Sequence, residues 1–244
     1  MSDDLNNLMK LKYPDKEWKT FTHTPLLHQI PEVYTETINK NRFYVTPEGN
    51  KYPSITTVLS GRAKEGINAW RERVGEAAAN RIMRAASSRG TAVHELAENY
   101  LNNEELKNQE VLPLFMFTQL KSELDNINNI VMQEGGLYSD KWGIAGRVDC
   151  IADYDGKLTV IDFKTSTKEK KEAWIENYFI QCTAYCEMYE ERYGQAIDQI
   201  AILIVCEDGT TQTFVKDKKD YVPLLQPAID EFWTEQDRLA QMLR

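Results

Sequence analysis

Asp149, Asp162 and Lys164 are the residues of this chain whose types and spacing point most directly to chemistry. They lie in Gly146-Arg-Val-Asp149 and Val160-Ile-Asp162-Phe-Lys164. Between them, Asp155-Gly156 is a favoured two-residue hairpin turn. A turn there sets Tyr154 opposite Lys157. Counting back along both strands, Asp149 then stands opposite Asp162, with Cβ atoms about 5 Å apart on one face. Lys164 lies two residues further on and shares that face. Like charges directly opposite repel, and one carboxylate tends to protonate. The rest of the hairpin is apolar, with Ile151, Leu158 and Val160 on one side and Val148, Ala152, Ile161 and Phe163 on the other. Stability alone would not place Asp there twice. One or two divalent cations would relieve the repulsion, and hard oxygen ligands suit Mg²⁺ or Mn²⁺. The alternative is an Asp–Lys–Asp salt-bridge cluster with a purely structural role.

Two helical patterns flank this hairpin. In Gly90-Thr-Ala-Val-His94-Glu-Leu-Ala-Glu98, His94 and Glu98 are four apart and project from one helix face. Either the pair serves a metal site or His94 is an ordinary satisfied histidine. In Gln181-Cys-Thr-Ala-Tyr185 the polar ends again share a face. An amphipathic helix without a function would show the same spacing.

The elements that must hold these residues follow from hydrophobic periodicity and turn signals. Residues 1–40, with Pro14, Pro25 and Pro31, read as an irregular arm, and residues 41–53 as a small hairpin turning at Pro47, Gly49 and Asn50. Ser54 is a plausible N-cap for a helix presenting Ile55, Val58 and Leu59 on one face. Helices are expected over 67–84 and 87–102, the second capped by Ser87 or Ser88, and over 111–130. Ile130–Tyr138, Ile144–Tyr154 and Lys157–Lys164 read as a three-stranded meander. A helix over about 170–193, strands Gln199–Cys206 and Gln212–Val215, and a helix over about 218–242 complete the chain. The expected class is α+β, a sandwich of helices around one central mixed sheet. Residues 1–50 form the arm and hairpin, and residues 51–244 a single domain.

Composition narrows the setting. The 244 residues are 42% hydrophobic and carry a net charge of −9. That is ordinary for a globular chain, and argues against a protein that coats duplex DNA. Residues 62–89 run the other way, with seven basic side chains (Arg62, Lys64, Arg71, Arg73, Arg81, Arg84, Arg89) against Glu65, Glu72 and Glu76. Taken alone, this is a solvated helix face. No run of 18 apolar residues suggests a membrane span. The acidic N-terminus lacks a targeting pattern, so a cytoplasmic location, in a bacterium or a phage-infected host, is expected. Cys150, Cys182, Cys186 and Cys206 read as buried thiols of a reduced compartment. Cys182 and Cys186 lack further ligands at metal-site spacing.

Together, Gly90/His94/Glu98, Gly146/Asp149, Asp162/Lys164 and Gln181/Tyr185 resemble, in order and spacing, the motifs of the RecB-like branch of the PD-(D/E)xK nucleases. The resemblance covers roughly residues 53–235, and within that branch is nearest to exonucleases of single-stranded DNA ends and flaps. It implies a restriction-endonuclease-like core and metal-dependent phosphodiester hydrolysis in DNA replication, recombination or repair. It also implies that Asp149, Asp162, His94 and the Phe163 carbonyl hold the metal, with Glu134 as a further acidic residue of the centre. Lys164 positions or deprotonates the attacking water, Glu98 orients His94 or an Arg, and Gln181 and Tyr185 contact DNA or support the metal shell. Some of the basic side chains, Arg84 and Arg89 among them, would then line a strand-binding channel, with Trp70 and Tyr52 as candidates for base stacking. Some relatives carry an iron–sulfur cluster on one cysteine before the motifs and three after. No cysteine precedes Cys150 here, so no cluster is expected. A structure-specific endonuclease, a catalytically silent DNA-binding module, or a subunit serving a replication or recombination partner stay open. No Gly-x-x-x-x-Gly-Lys-Ser/Thr helicase motif is present in the chain.

Overall fold

The computed structural model describes residues 18–24, 26, 32–39, 41–107 and 110–242. Pro14, Pro25 and Pro31 of the expected arm lie outside them. Three strands, β1 (Tyr34–Ile38), β2 (Asn41–Val45) and β3 (Lys51–Pro53), form a small antiparallel sheet, so the expected hairpin gains a strand on its N-terminal side. The division drawn at residue 50 falls in the β2–β3 turn, where Gly49 adopts φ 87°. Ser54 caps helix α1 (Ile55–Ser60) by accepting from the Thr57 N–H, and Ile55, Val58 and Leu59 are buried.

Helices α2 (Lys64–Val74) and α3 (Glu76–Leu101) follow. The break expected before Ser87 lies instead at Gly75, whose φ of 86° only glycine adopts without strain. Ser87 and Ser88 sit inside α3, where the small propensity cost of serine is outweighed by 26 residues of continuous helix. Helix α4 (Val111–Leu124) stops short of the expected residue 130, because Ile127 onward joins a sheet. Tertiary pairing overrides helical periodicity there.

The main sheet has five strands in the order β4-β5-β6-β7-β8. These are β4 (Ile127–Ser139), β5 (Ile144–Tyr154), β6 (Lys157–Ser166), β7 (Gln199–Cys206) and β8 (Thr211–Asp217). Only β6 and β7 run parallel, joined by the crossover helix α5 (Glu176–Tyr193), with a short 3₁₀ turn, Glu172–Trp174, before it. Helix α6 (Val222–Met242) closes the described chain after a 3₁₀ turn at Lys218–Asp220.

The interior strand β7 is apolar on both faces, as a doubly covered strand must be. Ile200, Ile202 and Ile204 pack with α1, α5 and α6. Ala201, Leu203 and Val205 pack with α3, α4 and Phe21. Residues 22–24 bond to Ile130 and cover the free edge of β4. The architecture is thus α+β, a mixed five-stranded sheet between two helical layers. No helix among the described residues is long and apolar enough to cross a membrane.

Candidate active site

The β5–β6 hairpin turns at Asp155-Gly156, with φ of 51° and 77°, which is the two-residue turn the dipeptide favours. The register runs from Tyr154–Lys157 to Cys150–Ile161. There the two strands part. Beyond the fork, β6 continues against β7 alone, through Asp162–Ile202 to Ser166–Cys206. β5 continues against β4, with Ser54 bridging its Ala145. Asp149 and Asp162 are therefore the first residues past the fork, not a fully paired couple as a regular ladder requires. The freed backbone N–H of Phe163 must find a partner, and it donates to Asp149 Oδ2 at 2.9 Å.

A second irregularity brings in Glu134. On β4, Gln133 pairs with Cys150 and Gly135 with Val148, but the Glu134–Asp149 step between them is missing from the ladder. Glu134 has φ 46°, a left-handed conformation that costs a non-glycine residue energy. Its carboxylate joins those of the fork. One ligand atom each from His94, Glu134 and Asp149 lies within 4.8 Å of the others, the only such group among the described residues. Helix α3 supplies His94, whose Nδ1 is 3.6 Å from Asp149 Oδ2 and whose ring meets Phe163 edge-on. A cleft of about 430 Å³ opens over the group, lined by Gly90, Thr91, His94, Glu95, Glu98 and Glu134.

Asp162 takes the other side of the fork. It is 1% exposed. Its Oδ1 accepts from Lys164 Nζ at 2.6 Å. Its Oδ2 lies 2.5 Å from the same nitrogen without hydrogen-bonding geometry, and no other donor reaches it. Burial pushes the Asp162 carboxyl up to about 6, against the pull of Lys164. Burial lowers Lys164, but Asp162 and Asp149 more than offset this, and its ammonium stays charged well above the ordinary range. The Tyr178 ring, 5.1 Å away, covers the same nitrogen. Tyr178 was not singled out from the sequence, although it sits on the helical face of Gln181 and Tyr185, three and seven residues before them.

Burial pushes Glu134 up to about 7, reinforced by Asp149 and Glu98. Two mutually repulsive carboxylates and an imidazole, with an unsatisfied Asp162 oxygen beside them, fit a hard divalent cation. Cys182 and Cys186 are buried free thiols and take no part in that group.

The remaining expected residues fall into distinct places. Tyr185 is buried with its ring against Gly146, where a Cβ would come within 2.6 Å of the ring, so only glycine fits. Gln181 donates to the Tyr185 hydroxyl at 3.3 Å. Arg89 is mostly buried, paired with Glu207 in the β7–β8 turn and 3.5 Å from Thr165 Oγ1. It ties α3 to the end of β6. Arg84 is exposed on α3, and Trp70 is half-buried on α2. Arg71 pairs with Glu76, and Arg62 with Glu231 and Glu176. Tyr52 donates to Asp140 at 2.7 Å.

The chain is 25% identical over 177 residues to human mitochondrial genome maintenance exonuclease 1, covering 66% of this chain and 51% of that protein. The mouse protein is 26% identical over 176 residues, covering 66% and 52%. The chain thus spans about half the length of the curated relatives it matches. A solved structure from Eubacterium rectale, titled "Putative exonuclease", aligns with TM-score 0.43 and 12% identity, covering 61% of this chain and 66% of that one. Residues 112–244, more than half of the chain, match the PD-(D/E)XK nuclease superfamily, and the chain belongs to that superfamily.

Proposed function

We propose that this nuclease is a divalent-cation-dependent deoxyribonuclease that removes nucleotides from single-stranded DNA ends or flaps, in DNA replication, recombination or repair. The observation that carries the reading is the fork between β5 and β6. It gathers His94, Glu134 and Asp149 beside a buried Asp162–Lys164 pair. Similarity to exonucleases that share about half their length with this chain supports the choice of DNA ends as substrate.

His94, Asp149 and Asp162 would hold Mg²⁺ or Mn²⁺, with Glu134 and the Phe163 carbonyl beside them. When bound, such an ion supplies Lewis-acid polarisation of the phosphate and activation of water. Lys164 keeps its proton, so its contribution is electrostatic. Its ammonium offsets the charge that builds on the phosphorane oxygens. Asp162 and the Tyr178 ring hold that ammonium in place from two sides. Gln181 and Tyr185 buttress β5 behind Asp149 through the contact with Gly146.

The test is degradation of end-labelled linear single-stranded DNA with Mg²⁺ or Mn²⁺, beside Asp162→Asn. The expected result is cleavage that chelation abolishes and the variant lacks, with circular single strands left intact. Cleavage of circles would mark an endonuclease. Binding without cleavage in any divalent ion would mark a silent module.

A further inference from the structure

The segment between β6 and α5 leaves the site directly after Lys164, and it is basic and aromatic. It carries Lys168, Lys170, Lys171 and Trp174, with Glu169 and Glu172 as its acidic residues. Trp174 is 66% exposed, an unusual position for a tryptophan in a chain of this size. The segment is pinned to the rest of the fold. The Lys170 backbone N–H donates to Gln212 Oε1 at 2.8 Å, and the Gln212 amide donates back to the Lys170 carbonyl at 3.0 Å. Ser166 Oγ donates to the Lys168 carbonyl at 2.5 Å, and Lys216 Nζ donates to Glu172 at 2.6 Å. Ile175 is buried and anchors the far end. A large ring held out on a fixed backbone loses little freedom when it binds something.

Its neighbours give the direction. Lys171 Nζ lies 5.2 Å from the Trp174 ring centre. Tyr178, four residues on and in the first turn of α5, covers Lys164 Nζ. One aromatic residue at the surface and one over the reactive lysine thus stand on successive turns, with lysines beside the outer one. We propose that Trp174 is a base-stacking platform for an unpaired strand, with Lys168 and Lys171 meeting its phosphates as the strand approaches Lys164. The ligand class is single-stranded nucleic acid. An aromatic face stacks on any base, and lysine follows the backbone without reading sequence. The chain's charge of −9 makes such a local basic patch the more necessary for a polyanion. This rests on the nuclease reading above but concerns binding, so the two can fail separately.

The test measures binding of a fluorescein-labelled oligothymidine and of a blunt duplex to the metal-free protein, by anisotropy, with cleavage followed in parallel. Trp174→Ala is expected to weaken oligothymidine binding roughly tenfold, the scale of one stacked base, and to leave duplex binding unchanged. Trp174→Phe is expected to retain most of the affinity. Melting temperatures should match the wild type, because the ring is exposed. Unchanged oligothymidine binding in Trp174→Ala, equal losses on duplex and single strand, or no binding by the wild type would each overturn the platform. Trp174-dependent binding without cleavage in any divalent ion would keep the platform and sink the nuclease reading.

Discussion

At the scale of single residues, the proposed metal-binding role and the stability of the metal-free chain pull Glu134 in opposite directions. Its native carboxyl titrates at about 7, above the ordinary 4.5, because burial and Asp149 disfavour the charge. Between those values the metal-free folded chain holds more protons than the unfolded one. Stability of the metal-free protein should therefore fall as pH rises through that window. Asp162, raised from 3.8 to about 6, adds a slope of the same sign lower down. Glu134→Gln is expected to flatten the upper part of this fall in thermal melts from pH 5 to 8, and to weaken Mn²⁺ binding in calorimetry. A variant that bound Mn²⁺ as well as wild type would remove Glu134 from the metal site. Gly146 makes a second residue-scale case. An added methyl meets the Tyr185 ring at 2.6 Å. Gly146→Ala should cost about 1–3 kcal/mol in denaturant unfolding, the usual penalty of overpacking. Tyr185→Leu in the same chain should recover part of it.

At the scale of elements, the site depends on keeping α3 in register with the sheet. The 26 residues of α3 span about 39 Å, and of those before Ala92 only Ala79 is fully buried. His94 is thus fixed by the second half of the helix and by one tie, Arg89 to Glu207 and Thr165. Arg89→Ala leaves Glu207 without that partner and frees the helix where it meets β6. It should lower kcat and Mn²⁺ affinity as well as the melting temperature. The double exchange Arg89→Glu with Glu207→Arg should restore part of both. If Arg89 instead met DNA directly, Arg89→Ala would raise KM and leave metal affinity alone, and the exchange would restore nothing. The Gly75 break matters in the same way. At φ 86° it sets the direction in which α2 leaves α3, a geometry that Ala adopts only under strain.

At the scale of the whole molecule, an acidic chain that binds a polyanion must do so through a few local basic groups. Single-strand binding should weaken with salt. Lys168→Gln with Lys171→Gln should reduce the log–log slope by about 1.4, or about 0.7 for each phosphate left without its lysine. An unchanged slope would place the strand elsewhere, with the exposed Arg73, Arg81 and Arg84 of the helical pair the next surface to test.

Much of this was legible in the sequence because the signals are local. Asp155-Gly156 dictates its own turn, and the turn dictates the register to Cys150–Ile161. Alternation and apolar runs placed β5 and β7 to the residue. Ser54 announced its helix, and four-residue spacings put His94 with Glu98, and Gln181 with Tyr185, on shared faces. What remained hidden depends on partners distant in the chain. Helix α4 ends where β4 begins because β5 is there to pair with it, which no local pattern reports. Gly75 rather than Ser87 breaks the long helix, since a backbone angle decides it and not a capping preference. Past Cys150–Ile161, β5 keeps only its pairing with β4 and β6 only its pairing with β7, so the two strands part. That fork releases Asp149 toward His94 and Glu134, and Asp162 toward Lys164 and Tyr178. The sequence by itself determined which residues could do the chemistry. Only the tertiary structure decided how they divide into a cluster of His94, Glu134 and Asp149 and a buried Asp162–Lys164 pair, because long-range strand pairing, not local propensity, sets where the backbone stops bonding to itself.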